Sequence, residues 1–136
     1  MKKFLLVIVL FSITNIFSQD LSKEMIEGVW KVEEVKVESK KAEVKEVIEG
    51  FRGAYFYFKK TNNFGIKTTH MSETFSEVTR MLRGTQWKLV GNKIHVGTEK
   101  DKFSTMIIKV KSKKDGFYFD LAEGKEQPLI VKVKKQ

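Results

Sequence analysis

GVWKVEEVKVE, Gly28 to Glu38, alternates apolar and charged residues and then slips by one. Trp30 and Val32 share one face of an extended strand. Val35 and Val37 join that face only if an extra residue is absorbed at Glu33–Glu34. Side chains alternate across a strand with a period of two, so an uncompensated slip would turn the second half inside out. An extra residue that keeps both halves on one face is a β-bulge, which bends a strand and increases its twist. A first strand that follows a glycine, turns a tryptophan inward and bends midway suits a sheet that curls to close.

The chain downstream reads as further strands, with turn signals at intervals of roughly ten residues. GAYFYFKK (53–60) sets Ala54, Phe56 and Phe58 on one face and Tyr55 and Tyr57 on the other. TNN leads into FGIKTTH (64–70), with Phe64, Ile66 and Thr68 in phase. In GTQWKLVGNKIHVG (84–97), Trp87 and Leu89 face inward, Gly91-Asn92 is a two-residue hairpin turn, and Ile94 and Val96 face inward again. KFSTMIIKVKSKK (102–114) reads as one long strand, and Asp115-Gly116 is the strongest hairpin signal in the chain. Phe117, Phe119 and Leu121 then share a face. In the last strand Leu129, Val131 and Val133 point inward and the lysines outward. The single proline, Pro128, stands at its start, where a missing N–H is tolerated.

Two stretches are ambiguous. KKAEVKEVIEG (40–50) is either a strand or an exposed loop with helical tendency. In MSETFSEVTRML (71–82), Met71, Phe75, Val78 and Leu82 fit helical spacing, but the threonines and the setting between strands favour an extended segment. The count is eight or nine antiparallel strands in meander order. An open sheet of that size leaves two edges exposed, and closure into an up-and-down barrel removes them. The fold expected is therefore an all-β antiparallel barrel preceded by a short helical turn at DLSKEMIEG (20–28), capped by Asp20 or Ser22 and stopped by Gly28.

The first residues read as an export signal covering 1–18. Lys2 and Lys3 form the positive region, Phe4 to Phe11 is an unbroken apolar run, and no acid precedes Asp20. Ser12, Thr14 and Asn15 interrupt the segment too early for a bilayer span, which needs roughly 20 apolar residues. Cleavage before Gln19, or one residue later, leaves a single barrel domain over 19–136 and no stable membrane span. The expected location is periplasmic or secreted. The chain has no cysteine, which excludes disulfides, thiolate metal sites and a cysteine nucleophile. Removal of Lys2 and Lys3 turns 26 basic and 17 acidic residues into 24 and 17, a net of +7. Such a charge suits anionic surface polymers or head groups, or simply lysines that solvate exposed strand faces. Nucleic acid is not an expected partner.

Catalytic signals are missing. Neither histidine stands in an H-x-H or H-E-x-x-H spacing, and no G-x-S-x-G or Gly-rich phosphate loop occurs. His95 lies between inward Ile94 and Val96 and so points to solvent, while His70 is in phase with Phe64 and Ile66 toward a barrel mouth. Arg52 and Arg80 are surface arginines or holders of an anionic head group at a mouth. The chain reads as a non-enzyme without cofactor or metal.

A glycine, one residue, then tryptophan on the first strand of an eight-stranded meander resembles the lipocalins. GTQWKLVGNKI (84–94) and the signal ending FSQ are similar to lipocalin-like domain proteins exported by Bacteroidetes-type bacteria. The resemblance covers roughly Leu21 to Lys134. It implies that Trp30 closes the barrel floor behind the helical turn. No Thr-Asp-Tyr motif follows in mid-chain, and the lipocalin arginine that packs over the tryptophan from the last strand is absent, leaving Lys132 or Lys134 to substitute. Trp30, Phe56, Phe58, Phe64, Trp87, Phe117 and Phe119 all project inward by strand phase. They either line a cavity for a small hydrophobic or amphiphilic ligand or simply fill the barrel. In the second case the protein is an interaction module, an inhibitor or immunity-type partner, that meets a protein through its outer face at Tyr55, Tyr57 and the basic stripes.

Overall fold

The computed structural model describes residues 21–37, 42–122 and 129–136. The expected export signal and cleavage site, and Pro128, lie outside the described residues. The elements run α1 (Lys23–Ile26), β1 (Gly28–Val37), α2 (Ala42–Arg52), β2 (Ala54–Phe58), β3 (Phe64–Thr68), α3 (Glu73–Met81), β4 (Gln86–Val90), β5 (Lys93–Gly97), β6 (Met106–Lys113), β7 (Gly116–Asp120) and β8 (Ile130–Lys135). The eight strands form one sheet in the order β3-β2-β1-β8-β7-β6-β5-β4. Every pairing is antiparallel. This is an up-and-down barrel in which β1 and β8 pair from Trp30–Lys135 to Val37–Ile130 and the seam falls between β3 and β4.

One bulge is where the sequence demands it, and a second register shift, between Val35 and Val37, was not expected. Val32 pairs with Val133 and Glu34 with Lys132, so Glu33 has no partner in the ladder. Trp30, Val32 and Val35 are consequently all buried. The inward faces of the other strands follow the same alternation. Phe56, Phe58, Trp87, Ile94, Ile108, Phe119 and Val131 are almost completely shielded from solvent. The β6–β7 turn differs by one residue from the expected register. Lys113 pairs with Gly116, so Lys114 and Asp115 form the turn and Gly116 opens β7 at φ +137°, a conformation that suits glycine. The long strand expected from Lys102 begins only at Met106, because Lys102 and Phe103 take left-handed conformations, φ 58° and 56°.

The two ambiguous stretches are helices. The extended reading of 71–82 is corrected by α3: Ser72 caps it by accepting a hydrogen bond from the Phe75 amide at 2.9 Å, and Phe75 is buried. Its apolar face packs on α2 through Phe51 and Phe75, whose rings meet edge to face at 5.1 Å. Gly50 makes that contact possible, since a Cβ there would stand 2.1 Å from the Phe75 ring. Thr68 adds a hydroxyl hydrogen bond to the Gly50 carbonyl. Together α2 and α3 close one end of the barrel, with Ile48, Phe51, Phe75 and Leu82 joining the core. Among the described residues no helix is long and apolar enough to cross a membrane.

Candidate functional site

The candidate aromatics pack on one another. Phe56 and Phe58 stack at 6.3 Å, and Phe119 meets Phe56 at 5.4 Å and Phe58 at 6.0 Å. Phe64 and Trp87 each lie 5.4 Å from Phe58. Trp30 contacts Phe117 at 5.3 Å and Phe119 at 5.6 Å. These separations are those of direct ring contact, so side chains occupy the space between the rings in the middle of the barrel. Of the seven, Trp30, Trp87, Phe117 and Phe58 also reach clefts near α1.

That end is built around α1 and the two tryptophans. Ser22 caps the short helix, its Oγ accepting from the Met25 amide at 3.3 Å. At its other end three carbonyls need donors. The Trp30 indole N–H donates to the Ile26 carbonyl at 2.8 Å. Lys135 Nζ donates to the carbonyls of Glu24 and Met25 at 3.2 and 3.0 Å. The same ammonium lies 5.9 Å from the Trp30 ring centroid, a cation–π contact. Lys135, paired with Trp30 across β1 and β8, is therefore the cation over the tryptophan. Neither Lys132 nor Lys134 takes that role, because both lie on the outward phase of β8. Gly28 gives the lysine its path: a Cβ there would stand 2.9 Å from Lys135 Cε.

Beside this cluster lies a cleft of about 560 Å³, within the usual range for small-molecule sites. Its apolar lining is Met25, Trp30, Phe117 and Val133. Its rim carries Glu33, Asp115, Lys134 and Lys135. The bulge is what brings Glu33 there, an example of a bulge re-aiming a side chain. Asp115 is already engaged, accepting from Tyr118 Oη at 2.7 Å and pairing with Lys132 at 3.6 Å. Those contacts hold its carboxyl below the ordinary carboxylate value, the tyrosine hydrogen bond being the larger cause, and raise Tyr118. With Lys135 committed to carbonyls, Glu33 and Lys134 are the charged rim groups for which no such contact is described.

Other candidates separate from this site. His70 is exposed beyond the end of β3, and its ring lies over Gly53, where a Cβ would stand 2.7 Å from its Cδ2. His95 is half-buried on the outer face, its pKa lowered by desolvation and by Lys88 and Lys93. Arg52 and Arg80 bond to glutamates of their own helices, Glu49 at 2.9 Å and Glu77 at 3.1 Å, as surface arginines do. No group of three or more His, Cys, Asp or Glu residues suited to a metal occurs among the described residues. Met25, Glu33, Val133, Lys134 and Lys135 were not foreseen. The signal for Lys135 was its phase with Val131 and Val133, and the signal for Glu33 was the slip itself.

No family model, no curated protein and no solved structure matches the chain.

Proposed function

We propose that this chain is a non-enzymatic, exported binding protein for a small amphiphilic molecule, held in the cleft between α1 and the ends of β1, β7 and β8. The observation that carries the reading is the pairing of an apolar lining, Met25, Trp30, Phe117 and Val133, with a rim of balanced charge. Apolar burial supplies the affinity, at roughly 25 cal/mol per Å². Glu33 and Lys134 orient the polar group, which a mixed rim selects as neutral or zwitterionic. The resemblance to lipocalin-like exported proteins supports the ligand-binding class. The contacts among Phe56, Phe58 and Phe119 favour binding at the barrel end over binding at its centre.

Native mass spectrometry of the mature protein from its own host envelope tests this. The expected result is a stoichiometric extra mass that disappears on denaturation and is lost in Phe117→Ala. An absence of extra mass, together with capture of a protein partner that requires Tyr55 and Tyr57, sinks the proposal. The interaction-module reading then takes its place, on the observation that both tyrosines lie on the outer face beneath Lys31 and Lys67, which stand 6.0 and 5.4 Å from the Tyr55 and Tyr57 rings.

A further inference from the structure

On the other flank of α1, at the seam, lies a second cleft of about 330 Å³. Its wall is formed by Trp87, Leu89 and Phe103, and its polar residues are Asn62, Gln86, Lys23 and Lys88. None of the residues lining it is acidic. Each lysine stands over a ring: Lys23 Nζ lies 5.8 Å from the Trp87 centroid and Lys88 Nζ 4.5 Å from that of Phe103. The indole N–H of Trp87 is already donated to the Lys59 carbonyl at 3.0 Å. The donors facing the cleft are therefore cationic or amide.

Two residues of the cleft, Asn62 at φ 73° and Phe103 at φ 56°, take the left-handed region, which asparagine adopts readily and phenylalanine only at a cost. Such conformations persist where surrounding structure over-determines them, and they gather at binding sites. Here the determinant is visible. Asp101 accepts from the Thr98 amide at 2.8 Å, from the Phe103 amide at 3.0 Å, and from the Thr105 hydroxyl. That clamp fixes the loop so that the Phe103 ring meets Lys88. It also occupies the carboxylate within its own loop. Gly97 lets the loop sit close, since a Cβ there would stand 2.8 Å from Phe103 Cα. Glu27 is the acid that faces Lys23, in a half-exposed pair at 3.7 Å.

We infer that this seam cleft is a binding site of its own, for a small molecule carrying one carboxylate on a short aromatic or apolar body. The body rests on Phe103 and Leu89. The carboxylate is bracketed by Lys23 and Lys88 and takes hydrogen bonds from Asn62 and Gln86, since charge-assisted bonds outweigh neutral ones. The first cleft, with acids on its rim, lacks this preference, so the inference stands without the proposed function.

Sodium benzoate is the probe, with benzyl alcohol as its uncharged counterpart and sodium acetate as the charge without the ring, each followed by amide and indole NMR shifts. Benzoate is expected to move the Trp87 indole N–H and the amides of Lys88, Leu89 and Phe103, and to bind about tenfold more tightly than either control. Lys88→Gln and Lys23→Gln each lower benzoate affinity roughly three- to fivefold and leave benzyl alcohol unchanged. Phe103→Ala weakens both aromatic probes. Lys134→Gln, at the other cleft, changes nothing. Equal binding of benzyl alcohol overturns the inference. So do shifts centred on Trp30 and Phe117, or no shift with benzoate at about 20 mM, a concentration that reveals millimolar sites.

Discussion

The two tryptophans of this chain are near mirror images in their contacts and opposites in their settings. Each is about 2 % exposed, each donates its indole N–H to a main-chain carbonyl, and each has a lysine over its ring. Trp30 belongs to the β1–β8 ladder, whose register runs from Trp30–Lys135 to Val37–Ile130. Trp87 stands at the seam, where an isolated bridge between Asn63 and Gln86 joins β3 to β4. Two backbone bonds flank that bridge, Phe64 to the Thr85 carbonyl at 3.0 Å and Trp87 to the Asn62 carbonyl at 2.8 Å. Trp30 is thus paired by a strand on both sides, β2 and β8, whereas Trp87 has a full ladder only with β5 and a few contacts across the seam. The difference teaches that burial alone does not define how firmly a residue is held. What surrounds it sets how far the site can relax.

The largest expected effect tests that relaxation directly. Truncating a large buried aromatic costs about 3–5 kcal/mol, less where neighbours collapse into the gap. Trp30→Ala is expected near the top of that range and Trp87→Ala about 1 kcal/mol below it, read by urea unfolding. The reverse order would break the comparison. Native-state amide exchange offers a check without mutation: the Phe64 and Trp87 amides, which bridge the seam, exchange at lower opening free energy than those of β1 and β8.

A smaller effect separates the two lysines. Lys135 satisfies two helix carbonyls and covers Trp30, so Lys135→Ala is expected to cost about 1–2 kcal/mol. Lys23 has a half-exposed glutamate pair and a ring contact, and Lys23→Ala is expected to stay within about 0.5 kcal/mol. Chemical denaturation of both variants measures the gap. Equal costs would mean that the ladder position of Lys135 adds nothing.

The smallest effect is in acid. Asp101 and Asp115 both titrate below the ordinary carboxylate value, Asp101 chiefly through the Thr105 hydroxyl and the Thr98 amide, Asp115 through the Tyr118 hydroxyl and Lys132. Folding depresses each pKa, so the stabilisation is complete above the unfolded value of about 3.9 and disappears as pH falls through the folded one. Amide shifts of Phe103 and Gly116 followed from pH 6 to 2 are expected to report the two transitions. Added salt moves the Asp115 transition toward the ordinary value and leaves that of Asp101 nearly in place, because only Asp115 has a cationic partner. Matching salt responses would erase this distinction between the two sides.

The barrel was legible in sequence because strand alternation is a local signal. The slip at Glu33–Glu34, the inward phase of Phe56 and Phe58 and the Gly91-Asn92 turn are each readable from a few neighbours. The helices were less so. Ser72, Phe75, Val78 and Leu82 spell a cap and an apolar face, but whether that face finds a partner depends on α2 and on the missing side chain at Gly50. The inward aromatics were readable as a set, whereas their mutual contacts depend on the diameter of the closed barrel. The clefts were hidden for a similar reason. Lys135 looked like one more surface lysine until β8 was registered against β1, and Phe103 looked like a strand residue until the Asp101 clamp bent its backbone.

The hydrogen bonds from Lys135 to α1 also have a meaning in time. They join groups 110 and 111 residues apart in the chain. β1 comes early in the chain and must wait for β8 before its second edge has a partner. Until then Trp30 has no lysine above it and the barrel cannot round off. Closure of so long a loop carries an entropic cost and slows folding relative to local hairpins such as β4–β5. Closure of the barrel therefore waits for β8, and until β8 is in place the second edge of β1 stays open.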